Sequence, residues 1–339
     1  MPQNQAAWLH AATQPLQVGE IPMPKAAPGR LIVRNHAVAA NPADWKIQEF
    51  GVVFKTWPNV LGADLAGEVV EVGEGVEGFE DGDRVFAHAV SFMTSDPSDG
   101  GFALYTSVLA TATAKIPLSI SYSQAAVLPL AVDTAAVGLY SPAEGGYFGL
   151  PYPTLTPSSI GKTLIVWGGS SSVGAVTTQL ATASGVKVVA IASKKNCELC
   201  EKAGAVKVLD YNNPSIVEDA IVAVKDVGGT LIGIYDAVSI PESSYKRALA
   251  ILERLGGGTL TVVFTPPESV PASVRVGAIQ GFGPVTHPIW REYLTAALES
   301  GKLLCLPEPW VIGQGLKSIQ KALDENKKGV SGKKVVLEL

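Results

Sequence analysis

From Thr163 onward the chain alternates short apolar runs with helical stretches, and no other feature restricts its fold as strongly. The strand-like runs cover residues 163–167, 187–192, 207–210, 231–236, 259–264 and 275–279. Helical patterns at 173–184, 197–203, 215–227 and 243–252 fall between them. Near-continuous apolar strands are buried on both faces, and helical crossovers between them demand a parallel, doubly wound sheet. This half of the chain therefore reads as α/β.

The part before Ser123 has a different texture. It is rich in Gly and Pro, with short strand-like runs at 31–34, 66–72 and 82–86 ended by turn residues. Such spacing points to a β-rich barrel or sandwich-like unit. Residues 123–140 are Ala-rich and read as one helix with Ser123 as its N-cap. Residues 141–161 form a Gly/Pro/Ser/Tyr stretch without periodicity, and loops of that length are often functional lids or insertions. The tail predicts helices at 290–300 and 314–326 and a last strand at 334–339 that returns to the first unit. The chain has no internal repeat.

Composition narrows the function classes. With 26 Lys plus Arg against 31 Asp plus Glu, the formal charge is −5, which lacks the basic footprint of a nucleic-acid binder. Three cysteines cannot build a disulfide framework, so a reducing, cytoplasmic setting is expected. Residues 1–5 show no secretory pattern, and the most apolar run, 125–140, holds Pro129 and Asp133 and is too short to span a bilayer. No membrane partner is expected.

The sharpest motif is Val166-Trp167-Gly168-Gly169-Ser170-Ser171-Ser172-Val173-Gly174, placed where a strand ends and a helix begins. Gly169 suits the tight turn, and Gly174 lets the helix approach the sheet. The helix N-terminus offers N–H groups and the positive end of its dipole to a pyrophosphate. Ser170, Ser171, Ser172 and Val173 line that turn, with Ser171 where the middle glycine of G-x-G-x-x-G usually stands. NAD-binding units place Asp or Glu about 20 residues on, against the ribose 2′-OH. Here Ser193-Lys194-Lys195-Asn196 begins 19 residues after Gly174. A hydroxyl and two ammonium groups suit a 2′-phosphate, which favours NADPH; the alternative is a pair of solvated lysines capping a strand end. Tyr211, ending the third strand, either flanks the adenine ribose or simply packs there.

Leu61-Gly62-Ala63-Asp64-Leu65-Ala66-Gly67-Glu68-Val69-Val70, followed by Val72-Gly73 and Gly82-Asp83-Arg84-Val85, resembles the medium-chain dehydrogenase/reductase superfamily. The resemblance covers nearly the whole chain. It implies a GroES-like β-rich catalytic domain over 1–127, a Rossmann domain over 128–285 with a loop insertion at 141–161, and a C-terminal return over 286–339. Zinc-dependent members carry Cys-x-x-Asp and Gly-His-Glu segments. This chain has Asn41-Pro42-Ala43-Asp44 and Gly62-Ala63-Asp64, so Asn41 and Ala63 stand where two of the three ligands would be. No cysteine precedes Cys197, so the four-cysteine structural lobe is missing too, and no metal is expected. Cys197-Glu198-Leu199-Cys200 is a C-x-x-C, read as incidental helix residues with a redox role as the alternative.

Without zinc, conjugate reduction is the accessible hydride chemistry: hydride goes to the β-carbon of an unsaturated carbonyl, and donors stabilise the enolate oxygen. Asn41-Pro42-Ala43-Asp44-Trp45-Lys46 resembles a segment of the fungal trans-acting enoyl reductases that partner polyketide synthases, and the insertion with Phe148-Gly149-Leu150-Pro151-Tyr152-Pro153 strengthens the likeness. That resemblance places Lys46 by the cofactor, holding it or polarising the substrate carbonyl, with an exposed surface lysine as the alternative. Ala43 lies on the same loop, and Asp44 and Trp45 read as scaffold. Leu130-Ala131-Val132-Asp133-Thr134-Ala135-Ala136-Val137 matches the segment flanking substrate and nicotinamide, with the Thr134 hydroxyl as the preferred contact. Leu255-Gly256 and Val262-Val263-Phe264-Thr265 match strand ends lining the nicotinamide and acyl pocket, and Val330-Ser331 a C-terminal segment reaching the cofactor. His88 and His287 read as structural. Together these imply an NADPH-dependent oxidoreductase acting on a small or carrier-bound unsaturated substrate, as monomer or homodimer. A quinone or carbonyl/alcohol oxidoreductase and a non-catalytic NADPH-binding protein are the alternatives.

Overall fold

The structure, a computed structural model, describes residues 3–281 and 283–339. The chain separates into two compact units, Met1–Leu130 with Glu308–Leu339, and Ala131–Pro307.

In the first unit the elements run β1 (Gln5–Leu9), β2 (Gln17–Glu20), β3 (Arg30–Ala39), α1 (Pro42–Phe50), β4 (Asn59–Val60), β5 (Asp64–Val72), β6 (Arg84–His88), α2 (Ser91–Thr94), β7 (Tyr105–Leu109), β8 (Thr113–Lys115) and α3 (Tyr122–Ala125). Strands β2, β1 and β4 form a small sheet, while β3, β5, β6 and β8 form an antiparallel run with β7 paired to β3. Alternating buried side chains such as Leu31, Val33, Leu65, Val69 and Val85 make its core.

The helix expected over 123–140 is two helices. Ser121, not Ser123, caps the first: its Oγ accepts from Gln124 N at 3.2 Å and the Gln124 side chain accepts from Ser121 N at 2.9 Å. Pro129, which has no N–H to donate, starts α4 (Pro129–Tyr140) as a separate helix. Ser123 sits inside α3 and its hydroxyl donates to Glu338 at 2.9 Å.

The second unit continues with β9 (Lys162–Trp167), α5 (Ser172–Ala183), β10 (Lys187–Ala192), α6 (Cys197–Lys202), β11 (Lys207–Asp210), α7 (Ile216–Val227), β12 (Thr230–Asp236), α8 (Lys246–Arg254), β13 (Gly258–Val262), β14 (Val274–Ala278) and α9 (Leu294–Glu299). All six strands are parallel in the order β11-β10-β9-β12-β13-β14. Counted within the unit this is 3-2-1-4-5-6, the Rossmann order, whose ligand crevice lies beyond the carboxyl ends of the strands. The 141–161 stretch is pinned down. Phe148 N donates to Gly138 O (3.1 Å), Leu150 N to Leu139 O (2.9 Å) and Tyr147 Oη to Ala278 O (2.8 Å), with Phe148 and Leu150 buried. It packs against the edge strand β14, and covering an edge strand is a structural task. Residues 288–307 also pack in this unit, where Trp290 Nε1 donates to the buried Asp133 at 2.7 Å.

The tail supplies β15 (Pro309–Gln314), α10 (Ile319–Lys327) and β16 (Lys334–Glu338) to the first unit. The sequence signals missed β15, and the helix expected from 314 begins after it. Strand β16 pairs antiparallel with β3, setting Val336 against Ala39 and Leu337 against Val38. No helix among the described residues is long and apolar enough to cross a membrane.

Candidate active site

The phosphate loop in the second unit is shaped by backbone contacts. Gly168, at φ 76°, turns the chain out of β9, and the N–H groups of Gly168 and Gly169 both donate to Ile191 O at 2.9 and 3.0 Å. Ser171 caps α5, its Oγ accepting from Gly174 N at 3.0 Å. A Cβ on Gly174 would lie 2.2 Å from Gly168 O, so only glycine lets the helix start so close to the loop. The first-turn N–H groups of α5 at Ser172 and Val173 have no acceptor within the helix and are available to an anion.

Ala192 pairs with Asp210 across β10 and β11, so Ser193 and Tyr211 leave the sheet side by side. Ser193 is buried, Lys194 and Lys195 are exposed, and Asn196 Nδ2 donates to Ser170 Oγ at 3.1 Å. The structure thus brings Gly169, Ser170, Ser171, Ser172, Val173, Ser193, Lys194, Asn196 and Tyr211 to one end of the sheet. Arg247, on α8, donates from Nη1 to Tyr211 O at 3.0 Å. Sequence reasoning missed this guanidinium, because nothing in the pattern of α8 indicates that its first turn meets the end of β11.

Residues 262–265 leave β13 at the same end. Val263 N donates to Ser239 Oγ at 2.8 Å, Tyr245 Oη donates to Thr265 O at 2.6 Å, and Phe264 is exposed. Ser239 belongs to a turn after β12 organised by Asp236, whose Oδ1 accepts from Val238 N and Ser239 N, both at 2.9 Å. Burial raises the Asp236 carboxyl pKa above the ordinary range. Leu255 and Gly256 are not brought here. They close α8 and precede β13, at the amino end of the parallel strands, opposite the phosphate loop.

Along α4 the burial pattern sorts the candidates. Ala131, Val132, Asp133, Ala135, Ala136 and Val137 are buried, Asp133 in its bond to Trp290, and only Leu130 and Thr134 are partly exposed. The Thr134 carbonyl accepts from Tyr235 Oη at 2.7 Å, which fixes the helix at this partly exposed residue.

In the first unit, α1 presents the Ala43–Lys46 candidates. Asp44 is fully buried and acts as a clamp: Oδ2 accepts from Asn41 N (2.7 Å) and Oδ1 from Gly62 N (3.0 Å). Burial pushes its carboxyl up to about 7, against the lowering effect of those bonds. Lys46 is half-buried, its Nζ 5.6 Å from the Trp45 ring, and desolvation lowers its pKa. Lys327 Nζ lies 5.7 Å from the same ring and pairs with Glu49 at 3.0 Å. Val330 packs into the core of this unit, and Ser331 is exposed.

Beneath α1 lies a polar cluster that sequence reasoning did not see. Lys334, 4% exposed, places its Nζ 2.8 Å from Asp64 Oδ2 and 2.5 Å from Asn41 Oδ1. Asn41 Nδ2 donates to Asp64 Oδ2 at 2.8 Å, and Leu130 N donates to Asp64 Oδ1 at 2.6 Å. Both polar atoms of the Asn41 amide are committed, one of them to an ammonium. Next to Lys333, which is exposed, Lys334 carries no sequence cue to burial. Among the described residues no group of three or more His, Cys, Asp or Glu is placed to hold a metal ion. Cys200 Sγ packs under the phosphate loop, 3.3 Å from where a Cβ on Gly169 would be, and burial pushes its thiol up to about 12. A thiol so protonated is a poor nucleophile at neutral pH.

Comparison with known proteins agrees with this layout. Residues 27–118 match the alcohol dehydrogenase GroES-like domain. The chain is 45% identical to dehydrogenase orsE of Emericella nidulans, over all of both chains. It is 38% identical to trans-enoyl reductase himH of Aspergillus japonicus, over 99% of this chain and 97% of that one. Among solved structures, mycobacterial Rv1454c complexed with NADPH superposes with a TM-score of 0.70 at 24% identity, covering 99% of this chain and 100% of that one.

Proposed function

The chain belongs to the medium-chain dehydrogenase/reductase superfamily, a family of oxidoreductases, and we propose that this member reduces the carbon–carbon double bond of an α,β-unsaturated carbonyl or thioester with NADPH and without zinc. A nicotinamide cofactor goes with the family, and the cradle fits it: a glycine-lined turn, a capped helix start with open N–H groups, and a small-residue approach at Gly174. NADPH is favoured by Ser193, Lys194 and Arg247 around Tyr211, where no carboxylate follows β10 to repel a 2′-phosphate.

The observation that carries the reading is the state of Asn41. It stands where zinc-bearing members have a ligand, and here its amide is saturated by Lys334 and Asp64. An ammonium at hydrogen-bond distance repels a divalent cation, so activation of an alcohol by a metal at this place is disfavoured. Reduction of a conjugated double bond needs no such activation, because positioned donors at the carbonyl oxygen suffice. A bound nicotinamide cofactor would supply the hydride. Lys46, with its lowered pKa, is suited to donate a hydrogen bond or a proton to the developing enolate. Thr134, a partly exposed residue, is the second candidate donor through its hydroxyl. The himH relative, named a trans-enoyl reductase, supports the same class. Carrier-bound chains of a polyketide synthase and free enones both fall within it.

The purified protein, offered NADPH or NADH with a crotonyl thioester, an enone, a quinone and an aldehyde, tests this. Faster NADPH oxidation with the thioester or enone is expected. Turnover of the aldehyde alone would overturn the reading.

A further inference from the structure

The polar cluster in the first unit joins segments that lie far apart in the chain. Lys334 opens β16, Asn41 immediately precedes α1, Asp64 opens β5 and Leu130 is the second residue of α4. Two of these segments carry the candidate donors: α1 presents Lys46, and α4 contains Thr134. One carboxylate, Asp64, meets the ammonium, the Asn41 amide and the Leu130 N–H together, and is fully buried. Its charge is therefore compensated within the protein, by Lys334. The Asp44 clamp extends the connection, tying Asn41 N and Gly62 N, the latter two residues before Asp64. These bonds tie the groups to one another, which makes the cluster a rigid reference for the side chains mounted on it.

We propose that Lys334 is a positioning residue for the reaction: its buried ammonium fixes Asn41 and Asp64, and through them the start of α1 that presents Lys46 and the first residues of α4. This rests on the assignment of Lys46 to the site and not on which acceptor is reduced. Lys334 contributes by geometry. A shift of α1 by a fraction of an ångström leaves binding nearly intact but misplaces a donor that matters only as charge develops on the substrate oxygen.

The test compares the parent with the double variant Lys334→Met/Asp64→Asn. The double variant removes both charges at once. An asparagine at 64 still accepts from Leu130 N, and its Nδ2 can donate to the oxygen of an Asn41 amide turned by 180°, so the links from position 64 to Leu130 and Asn41 survive without the ammonium. Four quantities are read: the cooperativity of thermal unfolding, the Kd for NADPH by fluorescence titration, kcat and KM with whichever acceptor of the panel the parent reduces, and deuterium uptake over residues 41–50. The expected result is cooperative unfolding, Kd and KM within about twofold of the parent, kcat lower by about tenfold or more, and faster exchange at 41–50. A double variant with parental kcat and parental exchange would overturn the proposal, as would a fall in kcat fully matched by a rise in KM. If the double variant does not fold, Asn41→Ala serves, because it keeps the Lys334–Asp64 ion pair and cuts its link to α1. Loss of kcat by about threefold or more at constant KM is then expected, and parental kcat overturns the proposal. If the parent reduces none of the acceptors, the functional reading fails on the parent alone, and exchange at 41–50 still decides the role of Lys334.

Discussion

The phosphate loop and the Lys334 cluster are both demanding pieces of architecture, and they are made in opposite ways. The loop is built by consecutive residues, 166–174, out of backbone geometry and small side chains, with one added contact from Asn196. None of its residues is charged, and what it offers an anion is shape and N–H groups. The cluster is built by four residues drawn from positions 41 to 334, and its cohesion is electrostatic, at full burial. Local backbone geometry fails through shape, where a side chain replaces a glycine such as Gly174. A buried charge pair does not tolerate loss of one member, because the other is left uncompensated.

That contrast is broken most severely by Lys334→Met alone. It strands the Asp64 carboxylate, and the first unit is expected to lose about 3–5 kcal/mol of stability, read as a lower urea midpoint at pH 7. The charge-free double variant is expected to recover most of this. Equal stability of parent and single variant would show that the pair is inert. The next largest effect is on pH. Asp44 sits at about 7 when folded, above an unfolded carboxylate near 3.8. The native state therefore binds the extra proton between these values, and stability falls as pH rises from about 4 to about 7, by up to about 4 kcal/mol. Asp99 and Asp236, both raised by burial, act in the same direction. Unfolding free energies measured across that window check the sign, and a steady rise with pH would contradict the assignment of Asp44.

The same contrast explains what was legible in the sequence. The parallel sheet and the tight turn after β9 follow from local signals, apolar runs of strand length and a Gly-Gly-Ser turn, whereas the strand order came only with the structure. Ser193 and Tyr211, both read from strand ends, stand side by side because adjacent parallel strands carry them to the same end in register. Leu255 and Gly256 were misplaced because apolarity alone does not say which end of a strand a residue occupies. Six of the eight residues at 130–137 proved buried, since a helix with an apolar face all round shows no preferred side. Lys334 and Arg247 were invisible because their partners are far away in sequence and only the fold brings them together.

On the other side of the comparison, Gly174→Val strikes the loop through shape. Its Cβ would lie 2.2 Å from Gly168 O, so α5 must withdraw from the loop and lose its aim at the pyrophosphate. The Kd for NADPH is expected to rise about 100-fold, worth about 2.7 kcal/mol, while acid stability keeps the Asp44 signature of the parent. Calorimetric titration checks the first part. Unchanged affinity would place the pyrophosphate elsewhere.

The smallest expected effect separates charge from shape within the loop's own neighbourhood. Lys194 is exposed, so its attraction for a 2′-phosphate is partly screened by solvent, and Lys194→Ala is expected to narrow the NADPH-over-NADH preference by about tenfold or less. Ser193 is buried beside Tyr211, so Ser193→Asp puts a carboxylate into a less screened place and is expected to narrow the preference more than Lys194→Ala does. Arg247→Ala, which frees the Tyr211 carbonyl, is expected to act in the same direction but to less than either. Ratios of kcat/KM for the two coenzymes measure all three, with salt as a control: the Lys194 effect should shrink at high ionic strength and the Ser193 effect should persist. An identical ratio in all three variants would mean that the 2′-phosphate is read by other residues. The order Ser193, Lys194, Arg247 runs from a carboxylate introduced at a buried position, through the loss of an exposed ammonium, to the loss of a guanidinium already bonded to the Tyr211 carbonyl, and a reversed order would point to a phosphate seated nearer to α8 than to the end of β10.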